Sequence, residues 1–191
     1  ADSPLLSPLN LGCPNVGGPL TVMGHNELAD PQRGGGQEMG RRSGTENVAG
    51  IAGFGAACEA AKRDLEAGVW ERVRQLRNIL EKTLATAAKE TIFVGKETPR
   101  LPNTSCFSTP GWKGETQVMQ MDLAGVAISA GSACSSGKVR ESRVLRAMGF
   151  SPDVASSAIR VSLGPTTTEA EVMAFAEAWI SQYEKFRQRA A

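Results

Sequence analysis

The sequence predicts an α/β protein of the α+β kind, in which helices pack on a small sheet. Two long segments, one starting at Val69 and one after Thr168, place their apolar residues on a single helical face. Four short runs near residues 91–94, 104–108, 126–129 and 158–163 read as strands set off by Pro and Gly turn signals. Because helices and strands intermix along the chain, both must share one core, with helices layered on the sheet.

Taken in order, the first 33 residues are rich in Pro, Gly and Asn and hold no apolar period for long, which predicts irregular structure. From Glu46 to about Glu66 the small apolar residues Val48, Ile51, Ala52, Gly55, Ala56 and Ala60 predict a closely packed helix, with Ser43 and Glu46 as its capping box. A second helix, about Val69 to Lys89, carries its stripe on Trp70, Val73, Leu76, Leu80 and Leu84. Strands follow at Thr91 to Val94 and Thr104 to Ser108, around Pro99, Pro102 and the Pro110-Gly111 turn. A short helix from Glu115 to Leu123 leads to a strand at Val126 to Ser129, and then to the loop AGSACSSGK. Beyond it come a helix near Glu141 to Met148 and a strand from Ala158 to Leu163. The final helix is capped by Thr168 and Glu171 and turns Val172, Phe175, Ala176, Trp179, Ile180 and Tyr183 to one side. No internal repeat is present.

Composition narrows the function classes. The chain has 191 residues, 41% hydrophobic, with 21 basic and 20 acidic side chains for a net charge of +1. That length suits one domain, or one domain and a fragment, with a sizeable core. Near-neutral charge without a basic run argues against a nucleic-acid surface, which needs clustered Lys and Arg to neutralise phosphates. No stretch reaches the roughly 18 apolar residues of a membrane span, and the N-terminus lacks the pattern of a signal peptide, so a cytoplasmic location is expected. Cys13, Cys58, Cys106 and Cys134 lie far apart with no CxxC pair, and the single histidine, His25, argues against a zinc site.

Each cysteine is then a core atom or a nucleophile. Cys134 sits in Gly131-Ser132-Ala133-Cys134-Ser135-Ser136-Gly137-Lys138, a loop too small and polar to bury its own residues, with Arg140 and Arg143 close behind. Neighbouring cations favour thiolate over thiol, which makes Cys134 the candidate nucleophile. Cys58 and Cys106 read instead as cysteines packed like small hydrophobes. Arg33-Gly34-Gly35-Gly36 and Arg41-Arg42-Ser43-Gly44-Thr45 precede a helix start, an arrangement suited to a phosphate or carboxylate, or else simply a cap with solvated arginines. Arg160 alternates with Ile159 and Val161, so it projects from the opposite strand face, either as a fork for a substrate carboxylate or as an edge arginine in water. Neither a P-loop nor a dinucleotide fingerprint is complete: Ser132 and Val139 break the first and Cys58 the second. Cys134 and Arg140 do form C-x5-R, the spacing of an anion-wrapping phosphatase or sulfurtransferase loop.

Taken together, RGGGQEMGRRSGTENVAGIAGFG (33–55), LPNTSCFSTPG (101–111), MDLAGVAISAGSACSSG (121–137) and AIRVSLG (158–164) resemble the NifS-like cysteine desulfurases of the aminotransferase class V superfamily. The Cys134-Ser135-Ser136-Gly137 run matches the long-loop branch of that family. The resemblance implies the C-terminal domain of a fold-type I transferase dependent on pyridoxal 5'-phosphate. It implies transfer of sulfur from L-cysteine to Cys134 as a persulfide, with release of L-alanine. Arg160 would hold the substrate carboxylate, and Thr45 the cofactor phosphate of the partner subunit in a homodimer. A sulfur-acceptor or iron–sulfur scaffold protein is the implied partner.

The resemblance also sets apart residues 1–33, as the end of a large domain mostly absent from this chain, from a small domain at 34–191. In the family, a Ser-x-His-Lys run before the first block carries the Schiff-base lysine. Here Leu9 falls at the histidine and Asn10 at the lysine, and an amide forms no imine. A non-catalytic module that accepts a persulfide or docks to a scaffold therefore stands as the alternative to an enzyme, and the C-x5-R phosphatase as a further one.

Overall fold

The structure is a computed structural model that describes residues 34–40, 43–130 and 141–190. The chain divides into two compact units, Ala1–Ala67 and Gly68–Ala191. Residues 1–33 of the sequence-based division lie outside the described residues.

The described part of the first unit holds a short turn, α1 (Gln37–Gly40), in which Glu38 and Met39 take positive φ, and a long helix, α2 (Val48–Glu66). The α2 cap is not the expected Ser43–Glu46 box. Asn47 caps the helix, its side chain accepting from the Gly50 N–H at 3.1 Å. A Cβ at position 50 would lie 2.6 Å from that side chain, so glycine leaves the cap its space. Among the described residues, α2 does not show the expected close packing: Gly50 is its one buried residue, and Val48, Ile51 and Leu65 are exposed. Ala-rich sequence explains the helix by propensity, without requiring burial.

The second unit is an antiparallel sheet with helices on both faces. Its elements are α3 (Val69–Ala87), β1 (Ile92–Phe93), β2 (Thr104–Ser108), α4 (Gly114–Leu123), β3 (Ser129–Ala130), α5 (Arg143–Ala147), α6 (Pro152–Ser157), β4 (Ala158–Ser162) and α7 (Glu169–Ala190). Strand order is β1-β2-β4-β3, and β2 pairs with β4 along its whole length, from Thr104↔Ser162 to Ser108↔Ala158.

Alternation sorts the two faces. Phe93, Phe107, Ile159, Val161 and Leu163 enter the main core with the α3 stripe (Val73, Leu76, Leu80, Leu84) and the α7 stripe (Val172, Phe175, Ala176, Trp179, Tyr183). Trp179 sets its ring edge against Phe107 and stacks on Tyr183 at 5.5 Å. Gln117 of α4, fully buried, donates to the Trp112 and Ser157 carbonyls and accepts from Trp179 Nε1, at 2.8, 3.0 and 3.0 Å. That one side chain ties α4, α6 and α7 together.

A second polar cluster fastens α3 to the approach of β2. Glu81 accepts both guanidinium nitrogens of Arg100, at 2.7 and 2.6 Å, and the Ser105 hydroxyl at 2.6 Å. Burial pushes the Glu81 carboxyl up, but the hydrogen bonds from Arg100 and Ser105 and the charges of Arg100 and Arg77 outweigh it, holding the carboxyl below its ordinary range. The Thr168–Glu171 capping box of α7 forms as expected, at 2.8 and 3.3 Å.

Two elements differ from expectation. The strand foreseen at 126–129 is confined to Ser129–Ala130, because Gly125 takes φ +77° and the Val126 N–H caps α4 by donating to the Met121 carbonyl at 2.9 Å. The short helix α6 was not expected, although Ser151 caps it and Pro152 fills its first position. Among the described residues, no helix is long and apolar enough to cross a membrane.

Candidate functional site

The sheet face turned away from the main core carries Thr104, Cys106 and Ser108 on β2, Ala158, Arg160 and Ser162 on β4, and Ser129 on β3. One end of this face is covered. Ser108 and Ala158 are buried there, the Ser108 hydroxyl donates to the Val154 carbonyl of α6 at 2.8 Å, and Leu145, Ala155 and Ala158 form a small cluster with Val94 and Phe150. Toward the other end, among the described residues, Arg160 and Ser162 are exposed. Arg160 thus projects from the face predicted for it, with its strand backbone paired on both sides: Cys106 stands opposite it on β2 and Ser129 opposite it on β3.

The structure revises the reading of two cysteines. Cys58 and Cys106 are both half-buried. Cys106 lies on the Arg160 face, because its neighbour Phe107 occupies the core side of the same strand. Burial pushes the Cys106 thiol up, and the Arg160 guanidinium only partly offsets this, so the group is a neutral thiol near pH 7. The signal was present in the alternation of Thr104-Ser105-Cys106-Phe107, where a core phenylalanine sends the preceding residue outward.

Cys134, with Lys138 and Arg140, lies outside the described residues. The anchors on either side of its segment are described. Ala130 pairs with Ile159 at the end of β3, and the Ser142 N–H donates to the Ala155 carbonyl at 3.2 Å. Cys134 follows Ser129, the residue that faces Arg160, by five positions in the sequence. Thr45 belongs to the first unit and is exposed ahead of α2. Since Asn47 makes the cap, the Thr45 hydroxyl is not the capping group.

The aminotransferase class-V family model matches residues 19–175. The chain belongs to this family. It is 43% identical to a cysteine desulfurase of Enterobacter agglomerans over 140 residues, 73% of this chain and 34% of that protein. It is 41% identical to a cysteine desulfurase of Gluconacetobacter diazotrophicus over 167 residues, 87% of this chain and 42% of that protein. Among solved structures, a NifS-like protein from Rickettsia africae superposes with a TM-score of 0.72 at 33% identity, covering 83% of this chain and 41% of that one. The chain therefore spans between a third and about two fifths of the length of these relatives. The helix-on-antiparallel-sheet architecture agrees with the C-terminal domain expected from the sequence.

Proposed function

We propose that this chain is the C-terminal part of a cysteine desulfurase, in which L-cysteine gives its sulfur to the Cys134 thiol. The products are a Cys134 persulfide and L-alanine, so atoms balance without an outside oxidant: the carbon–sulfur bond breaks and leaves its electron pair on the carbon, the Cys134 thiolate forms the sulfur–sulfur bond, and the carbon takes up the proton that the thiol gives up. The observation that carries this reading is the pairing of Ser129 with Arg160, five residues before Cys134. The strand that precedes Cys134 in sequence is thus paired with the strand that carries Arg160.

Arg160 holds the substrate carboxylate through charge-assisted hydrogen bonds, with its backbone anchored by strands on both sides. Cys134, followed by Lys138, Arg140 and Arg143, acts as the sulfur-accepting nucleophile. Pyridoxal 5'-phosphate, the cofactor of this reading, supplies an electron sink when bound. The residues of this chain fit only part of it. Thr45, a hydroxyl ahead of a 19-residue helix, suits the phosphate, whereas Asn10 offers no amine for an imine. Anchoring of the ring falls to other residues of the full-length protein. A homodimer, in which Thr45 serves the partner's cofactor, and a sulfur-accepting or iron–sulfur scaffold protein complete the reading. The match to cysteine desulfurases disfavours the phosphatase and non-catalytic alternatives.

The test is alanine release from L-cysteine by the full-length, cofactor-loaded protein. Alanine formed in step with sulfur transferred to a thiol acceptor is the expected result. Loaded protein that releases no alanine contradicts the assignment.

A further inference from the structure

The cross-strand pair of Cys106 and Arg160 carries an inference that rests on the reading of Arg160 as the carboxylate anchor. We propose that Cys106 is a positioning residue for Arg160: a small, neutral side chain that supports the arginine stem and leaves the guanidinium free for the substrate.

Directly opposed residues on antiparallel strands hold their Cβ atoms about 4.5–5.5 Å apart and project to the same face. Cys106 and Arg160 are such a pair, on the face away from the core. Ser129 flanks Arg160 from the other side, and the buried Ser108 and Ala158, under α6, close the end of the face beyond Cys106. The half-buried Cys106 therefore borders the base of the exposed arginine on one side of a partly walled strip. Its side chain is large enough to pack against the aliphatic stem, and it is uncharged near pH 7. A carboxylate at this position would instead capture the guanidinium in an internal ion pair and compete with the substrate's own carboxylate.

The experiment compares Cys106→Asp with its neutral isostere Cys106→Asn in the full-length, cofactor-loaded protein. Two quantities are read: KM and kcat for L-cysteine, and the dissociation constant of L-alanine, which needs no turnover. Cys106→Asp is expected to raise KM and the alanine constant about tenfold or more with kcat changed less than about threefold, while Cys106→Asn restores near-parental values. In an Arg160→Ala background, Cys106→Asp is expected to add nothing further, since the two changes act on one interaction. Equal effects of Asp and Asn, or an undiminished Asp effect without Arg160, would overturn the proposal. Should Cys106→Asp fail to fold, Cys106→Leu carries the test: its bulk is expected to displace the stem and raise KM alone, and an unchanged KM would sink the idea. Arg160→Ala by itself separates the two levels. If it leaves KM and alanine binding unchanged, the carboxylate reading fails; if it weakens both while the Cys106 variants do nothing, only the positioning role fails.

Discussion

Ser129 stands directly across the β3–β4 ladder from Arg160, and Cys134 follows it by five residues. The strand that presents the guanidinium is thus paired with the strand from which the cysteine segment departs.

Replacing Arg160 should therefore affect binding more than chemistry. A charge-assisted hydrogen bond contributes about 1.5–3 kcal/mol, so Arg160→Ala is expected to raise KM for L-cysteine roughly 10- to 100-fold, with kcat much less affected. Steady-state kinetics of the full-length protein check this. An unaltered KM would remove Arg160 from the site.

Gly114 opens α4 against the sheet. A Cβ there would lie 2.8 Å from the Ala158 carbonyl oxygen, 3.1 Å from the Ala130 Cβ and 3.3 Å from the Ser156 oxygen. Two of these contacts are backbone atoms that cannot swing aside. Gly114→Ala is expected to cost about 1–3 kcal/mol in denaturant unfolding, and Gly114→Val more. Because Ala130 is the last residue of β3, faster amide exchange at Ser129 and Ala130 should accompany the loss.

Gln117 tests the buried polar junction. Gln117→Leu would strand the Trp179 indole N–H and remove the donor to the Trp112 and Ser157 carbonyls, all in the core. An unsatisfied buried group costs about 1–3 kcal/mol, so a loss of at least that size is expected in urea unfolding. Quenched or shifted tryptophan fluorescence would report the same site. A neutral outcome would show that the junction relaxes without penalty.

The pH dependence follows from Glu81. Its folded carboxyl sits below the ordinary value of 4.5, so its contribution is fully present above that value and is lost as pH falls through the lower folded value. Glu90 and Glu171 are lowered as well and act in the same direction. Stability should therefore fall on acidification below about pH 4.5, more steeply in the parent than in Glu81→Gln. The variant should also be less stable at pH 7, because it leaves Arg77 and Arg100 without a buried counter-charge, a loss of about 3–5 kcal/mol by analogy with broken buried pairs. Identical acid profiles for the two proteins would contradict the assignment.

The parts of the fold legible in the sequence are those fixed by local periodicity. The α3 and α7 stripes enter the core as read, β2 spans Thr104–Ser108 as read, and Arg160 leaves β4 on the predicted side. What was not legible depended on choices among equal local signals or on distant pairing. Ser43, Thr45 and Asn47 are all competent caps within five residues, and only the fold selects Asn47. Val126 could join a strand or close a helix, and Gly125 decides for the helix end. The short α6 has too few residues for a period, leaving Ser151-Pro152 as its one sequence signal. The neighbourhood of Arg160 required knowing that β2 and β3 flank β4, which no single segment encodes. Cys134 stands out by the composition of its loop, the cations that follow it and the family resemblance, and it lies outside the described residues.

The most direct test is peptide-level mass analysis of full-length, cofactor-loaded protein after brief exposure to L-cysteine and trapping with an alkylating agent. One added sulfur on the peptide carrying Cys134, absent in Cys134→Ser, is the predicted result. Sulfur retained elsewhere, or undiminished in that variant, would contradict the account.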